Sequence, residues 1–200
     1  MRIAYDSINP LDIPTVAPIV AGYVDGIFGL AHLAYGEPGW DAAGWARFPN
    51  AVHVGIAVSA LTNDGQVLDV ETFDATPAQA PHWALMRIGS GLLAATIYVN
   101  RANGKAVEDA LLAAGFHPSD SKVLLFISTL DGTRVVTHWN DGTPVRFPVV
   151  AVQYADAKLS GGNFDLSVVA DYWPGVDPYN PNAIAGSEVH VDTMALRLTD

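Results

Sequence analysis

Two carboxylates separated by one apolar residue, Asp69-Val70-Glu71, close an apolar run that begins at Val67. On a strand, residues i and i+2 project to the same side with Cα atoms about 6.6 Å apart, so both acids face one space. Crowding two carboxylates raises the proton affinity of one of them, and a carboxylic acid that keeps its proton can serve as a general acid. An exposed strand end gives the same spacing without chemistry, so the other strand ends matter. Asp6 ends the run 2–6, Asp25 ends 19–25, Tyr98 lies within 94–100, Gln153 and Tyr154 close 149–154, and Asp165 lies in 164–166. Each acid has a local explanation: Asp6 before Ser7 can open a turn, Asp25-Gly26 is a turn dipeptide, and Asp165 after Gly161-Gly162-Asn163 can cap a short helix. Turn chemistry gives no common reason for carboxylates to follow so many buried strands, and acids converging on one rim do. Trp45, Trp139, Tyr154 and Trp173 offer flat faces on which sugar rings could stack, the alternative being that they are core.

These residues need a scaffold that brings strand ends together. Eight short β-branched or apolar runs, 2–6, 19–25, 53–59, 67–71, 94–100, 123–128, 149–154 and 164–166, are separated by turn residues or helical patterns. Several are nearly continuous, the pattern of parallel strands buried on both faces, and parallel pairing requires crossovers. Residues 104–115 read as an amphipathic helix with a glycine stop, 76–88 as a helix with Thr76 as N-cap and Pro77 at its first position, and 41–47 as a shorter one. Asp131-Gly132 and Asp141-Gly142 bracket 133–140, which reads as a hairpin, and the last third of the chain is helix-poor. The pattern predicts an α/β fold: an irregular (β/α)8 barrel of the TIM type, helices missing after the fifth strand, with its active site at the C-terminal mouth. An open doubly wound sheet is the rival. Residues 1–173 would form the barrel and 174–200 a turn-rich extension carrying Val189, Val191, Met194, Leu196 and Leu198. The extension either folds back over the barrel or is an arm for homo-oligomer or larger assembly.

Composition narrows the chemistry. The 200 residues are 50% hydrophobic and 16% charged, enough apolar material for a single core. No apolar run reaches the roughly 18 residues of a membrane span, and Met1 to Asp6 meets charge too early for a signal-peptide core. The absence of cysteine excludes disulfides, thiolate catalysis and cysteine-based zinc sites. Ten Lys and Arg against 21 Asp and Glu give a net charge of −11, which repels nucleic acid and anionic membrane surfaces. The histidines at 32, 53, 82, 117, 138 and 190 lack metal-ligand spacing, His53 reading as structural. No His-Glu-x-x-His, phosphate-binding glycine loop, Gly-x-Ser-x-Gly elbow or calcium-loop spacing is present. The expectation is chemistry carried by side chains alone, with neither metal nor cofactor.

The chain resembles glycoside hydrolase family 25, the lysozyme (muramidase) family common in phage endolysins, and more closely the hydrolase-like relatives found in actinobacteria and their phages. The resemblance runs from about Ile3 to Trp173 and rests on Ala4-Tyr5-Asp6-Ser7, Leu68-Asp69-Val70-Glu71, Ile97-Tyr98, Val152-Gln153-Tyr154-Ala155-Asp156 and Asn163-Phe164-Asp165-Leu166. That family's barrel also loses regular helices after its fifth strand. The resemblance implies that Glu71 is the general acid, that Asp6, Asp69 and Asp165 shape the charge around it, and that Tyr98 assists. Asp69 would stabilise the oxocarbenium-like transition state or orient a water. Asp25, Gln153, Tyr154 and Trp139 are the further candidates for contact with the glycan. The implied substrate is peptidoglycan, cut between N-acetylmuramic acid and N-acetylglucosamine, by a protein acting from a phage virion or released from the host cytoplasm. Two positions depart from the family. Gly22-Tyr23-Val24-Asp25-Gly26 stands where Lys-x-Thr-Glu-Gly is usual, and Val152 stands where a tryptophan often precedes Gln-Tyr. A hydrolase-like barrel without turnover, serving as a structural or glycan-binding part of a particle or cell surface, is the alternative.

Overall fold

The computed structural model describes residues 2–24, 39–181 and 183. In it the eight runs become the strands β1 (Arg2–Asp6), β2 (Ile19–Tyr23), β3 (Val52–Ala57), β4 (Val67–Val70), β5 (Ala95–Asn100), β6 (Val123–Ser128), β7 (Val149–Ala155) and β8 (Asp165–Val169). They close into a barrel in chain order. From β1 to β7 every neighbouring pair is parallel, whereas β8 is antiparallel to both β7 and β1. The direction of β8 departs from the all-parallel expectation. A parallel return needs a dozen or more residues, and only residues 156–164 connect these two strands. The link from β3 to β4, residues 58–66, is as short and lacks a helix, yet stays parallel. There Ile56 pairs with Val67, so β4 starts beside the end of β3 and the chain has little distance to retrace.

Among the described residues, α-helices lie in four of the seven links between strands: α1 (Ala42–Ala46), α2 (Ala80–Gly89), α3 (Gly104–Ala113) and the one-turn α4 (Ala157–Ser160). α3 ends where the glycine stop places it, with Gly115 at φ 89°. α2 begins later than the sequence pattern suggests. Thr76 gives both its backbone N–H and its hydroxyl to Gln79 Oε1, which makes a turn ahead of the helix. Gln79 is the N-cap, and Pro81, rather than Pro77, sits in the first turn. Between β6 and β7 the antiparallel bonds Trp139 N–H to Thr143 O (2.8 Å) and Val145 N–H to Thr137 O (2.9 Å) form around Asp141-Gly142. The hairpin is therefore centred on that turn and not on 133–140.

Side chains alternate across each strand. Ile19, Ala21, Val54, Ile56, Val67, Leu124 and Phe126 fill the barrel interior, while Leu68, Val70, Ile97, Val99, Leu125 and Ile127 pack outward with Trp83, Val107 and Leu111 of α2 and α3. Trp173 plugs the N-terminal end. It is fully buried, its indole N–H donates to Thr96 Oγ1 at 2.9 Å, and its ring meets Phe126 edge-on at 5.8 Å. Asp177 then accepts from both terminal guanidinium nitrogens of Arg2, at 2.7 and 2.6 Å, and from the backbone N–H of Trp173 at 2.6 Å. Residues 173–177 thus fold back under the barrel. The apolar positions expected at 189–198 lie outside the described residues. No helix among the described residues is long and apolar enough to cross a membrane.

Candidate active site

With its floor closed by Trp173, the barrel carries its polar side chains at the opposite end. The antiparallel β8 presents its first residue where the parallel strands present their last. Asp165 therefore pairs with Asp6 across β8 and β1, and directly opposed residues share a face. Gln153 of β7 joins them. Its amide nitrogen donates to Asp165 Oδ2 at 2.7 Å and reaches Asp6 Oδ1 and Oδ2 at 3.3 and 3.4 Å, while its carbonyl oxygen accepts from the Tyr98 hydroxyl. Tyr98 rests edge-on against Phe126 at 5.0 Å, so the aromatic column rising from Trp173 supports the polar network from below. Asp69 pairs with Tyr98 across β4 and β5 and is 4% exposed. Glu71, just past β4, shares the face of Asp69; it is half-buried and hydrogen-bonded by Asn100. Ser128, the last residue of β6, hydrogen-bonds Tyr98.

Asp6, Glu71 and Asp165 in this layer hold their protons more tightly than free carboxyls do. Burial, followed by the charge of Asp165, pushes Asp6 well above the carboxylate range, against the pull of the Gln153 hydrogen bond. Asp165 is raised to about 6, chiefly by burial and then by the charges of Asp156 and Glu71, against a backbone hydrogen bond from Ala157. Burial also raises Glu71, with the Asn100 hydrogen bond opposing it. Burial and the charges of Glu71 and Asp69 keep the Tyr98 phenol neutral. Tyr23 is held neutral by burial and by Asp69, Asp6, Asp74 and Glu71. The layer combines proton-holding acids with neutral phenols, an arrangement able to give a proton to a bound acceptor.

Six of the sequence candidates, Asp6, Asp69, Glu71, Tyr98, Gln153 and Asp165, come together here. Asp25 lies outside the described residues. Tyr154 follows Gln153 on the strand and so points to the other face, where its ring lies 4.2 Å from the Arg134 guanidinium. Trp139 is buried outside the barrel, packed on Gly104 at the start of α3, with its indole N–H donated to Glu108 at 2.9 Å. Neither ring is placed to stack a sugar at the polar layer. Trp173 forms the floor, and Trp45 packs on Trp40 and His53 in the outer layer. Sequence reading missed Tyr23, Asn100 and Ser128. All three are the last residue of an apolar strand, which is the signal that singled out Asp6, and their uncharged side chains concealed it.

A groove of about 530 Å³, lined by Ile8, Asn9, Leu11, Trp40, Asp41 and Arg47 among others, opens beside the loop that follows Asp6. Among the described residues no group of three or more His, Cys, Asp or Glu is placed to hold a metal ion. No family model, curated protein or solved structure matches this chain.

Proposed function

We propose that the chain is a glycoside hydrolase of the muramidase type, built on a TIM-type barrel whose last crossovers have been reduced. The observation that carries this reading is the buried acid layer at one mouth of a closed barrel, in which Glu71 and Asp165 both hold protons more tightly than free carboxyls. Glu71, at the edge of the layer and half-buried, is the general acid. Its proton passes to the glycosidic oxygen as the bond from that oxygen to the anomeric carbon breaks. Asp69, buried on the same face of the same chain segment, stabilises the positive charge that develops at the anomeric carbon or orients the water that adds there. The Tyr98–Gln153–Asp6–Asp165 network fixes the geometry behind that carbon, and Tyr23 adds a neutral phenol. The proposed substrate is peptidoglycan, and the proposed setting is a phage particle or the passage from host cytoplasm to wall. Residues 174–200 are the proposed region for self-association or attachment to such a particle.

Digestion of purified actinobacterial peptidoglycan, followed by mass spectrometry of borohydride-reduced products, tests the reading. Muramidase cleavage leaves new N-acetylmuramic acid reducing ends. Products ending in N-acetylglucosamine would move the cut to the other glycosidic bond. A folded protein that cleaves no wall would leave the barrel as a glycan-binding or structural component.

A further inference from the structure

The turn that leads the chain away from Glu71 runs against the preferences of its own residues. Asp74 donates its backbone N–H to the Glu71 carbonyl at 3.2 Å, closing the four-residue turn Glu71-Thr72-Phe73-Asp74. Its third residue, Phe73, has φ 81°, whereas Thr72 is not among the residues of positive φ. That is the pattern of a type II turn, whose third position ordinarily belongs to glycine. For a bulky side chain it is a strained conformation, and such strain gathers at functional sites. Burial gives no compensation, because Phe73 is 72% exposed. An apolar ring is thus held out in water, on a strained backbone, two residues from Glu71. Leu130 repeats the pattern, with φ 55° and 40% exposure two residues past the end of β6. The remaining non-glycine residue of positive φ among those described, Ser121, is polar and lies ahead of β6, at the end of the barrel away from the acids.

We propose that Phe73 is a substrate-positioning platform whose ring stacks on the apolar face of a pyranose seated over Glu71. The inference rests on the glycosidase reading of the barrel mouth and adds to it a stacking contact that none of Trp45, Trp139, Tyr154 and Trp173 provides. The negative face of an aromatic ring attracts the polarised C–H bonds of a sugar. An uncharged sugar face also meets no repulsion from a chain of net charge −11. Stacking at this distance along the chain aligns the glycosidic oxygen with the Glu71 carboxyl, which makes Phe73 a positioning residue.

The test measures calorimetric binding of soluble glycan strands, prepared from peptidoglycan by removing the peptides, together with KM, kcat and Tm. Phe73→Gly removes both ring and strain, so Tm should stay level or rise while affinity falls about tenfold and KM rises more than kcat falls. Phe73→Tyr should retain the affinity of the native protein. Unchanged affinity in Phe73→Gly, equal loss in both variants, or no binding of strands by the native protein would overturn the proposal. Strand binding that depends on Phe73 without release of reducing ends would uphold the platform and remove the hydrolase reading. Hydrolysis that depends on Glu71 with Phe73→Gly indistinguishable from native would do the reverse.

Discussion

Asp6 and Asp165 face each other across β1 and β8 and share one amide nitrogen of Gln153, so the folded protein resists ionising both. Asp165 is raised to about 6 from an ordinary value near 3.8, chiefly by burial. An acid whose folded pKa lies above its unfolded one binds more protons in the folded state, so stability falls as pH rises between the two values. Asp165→Asn should therefore raise Tm at pH 7.5 and leave it nearly unchanged at pH 4, measured by thermal melting at both. A larger gain at pH 4 would contradict the assigned cause. With Glu71 as the proposed general acid, its raised proton affinity predicts a rate that declines as pH rises through the value at which that carboxyl ionises. At this scale the sequence exposed the acids, Tyr98 and Gln153, because each terminates or interrupts an apolar run. Tyr154 shows where such reading fails: one step along a strand reverses the face, and proximity in sequence says nothing about which face meets the site.

Among the elements, β8 and the loop before β7 decide how the rim is assembled. A parallel β8 would have carried Asp165 to the floor; β8 runs antiparallel to both β7 and β1 and so delivers Asp165 to Asp6. The length of the β7–β8 link is visible in the sequence, but the β3–β4 link of equal length joins parallel strands, so length alone does not reveal direction. The loop of residues 129–148 is held by Glu108 of α3, a fully buried carboxylate. It accepts from the Trp139 indole at 2.9 Å, Arg146 N at 2.6 Å, Arg146 Nε at 3.1 Å and Phe147 N at 2.9 Å. Glu108→Gln replaces one accepting oxygen by an N–H that faces other donors, so it should destabilise the fold by about 3 kcal/mol in urea unfolding. A loss below about 0.5 kcal/mol would assign the loop's position to packing alone. This contact joins residues more than thirty apart and had no local signature, which is why Trp139 read as a candidate sugar platform.

For the whole molecule, closure from both ends is the organising feature. Arg2 begins the first strand and Asp177 follows the last, and their paired hydrogen bonds tie the chain's described ends together beneath Trp173. Asp177→Ala leaves the two terminal nitrogens of Arg2 and the Trp173 N–H without their acceptor, while Arg2 Nε keeps the Ala170 carbonyl, and should cost about 2 kcal/mol, a fall in Tm of about 5 °C. An unchanged melting curve would show that the Trp173 plug holds without its latch. The strand order was legible because eight apolar runs with turn punctuation span the chain, a signal averaged over many residues. The candidate site depends instead on a few side chains whose faces are set by strand register, which no average over the sequence supplies. The most direct test is release of reducing ends from actinobacterial peptidoglycan across pH by the native protein and Glu71→Gln. With Glu71 as general acid, native activity declines toward alkaline pH and the variant loses at least about a hundredfold at acidic pH, the gap narrowing as Glu71 ionises. Equal rates for the two proteins would remove Glu71 from the chemistry.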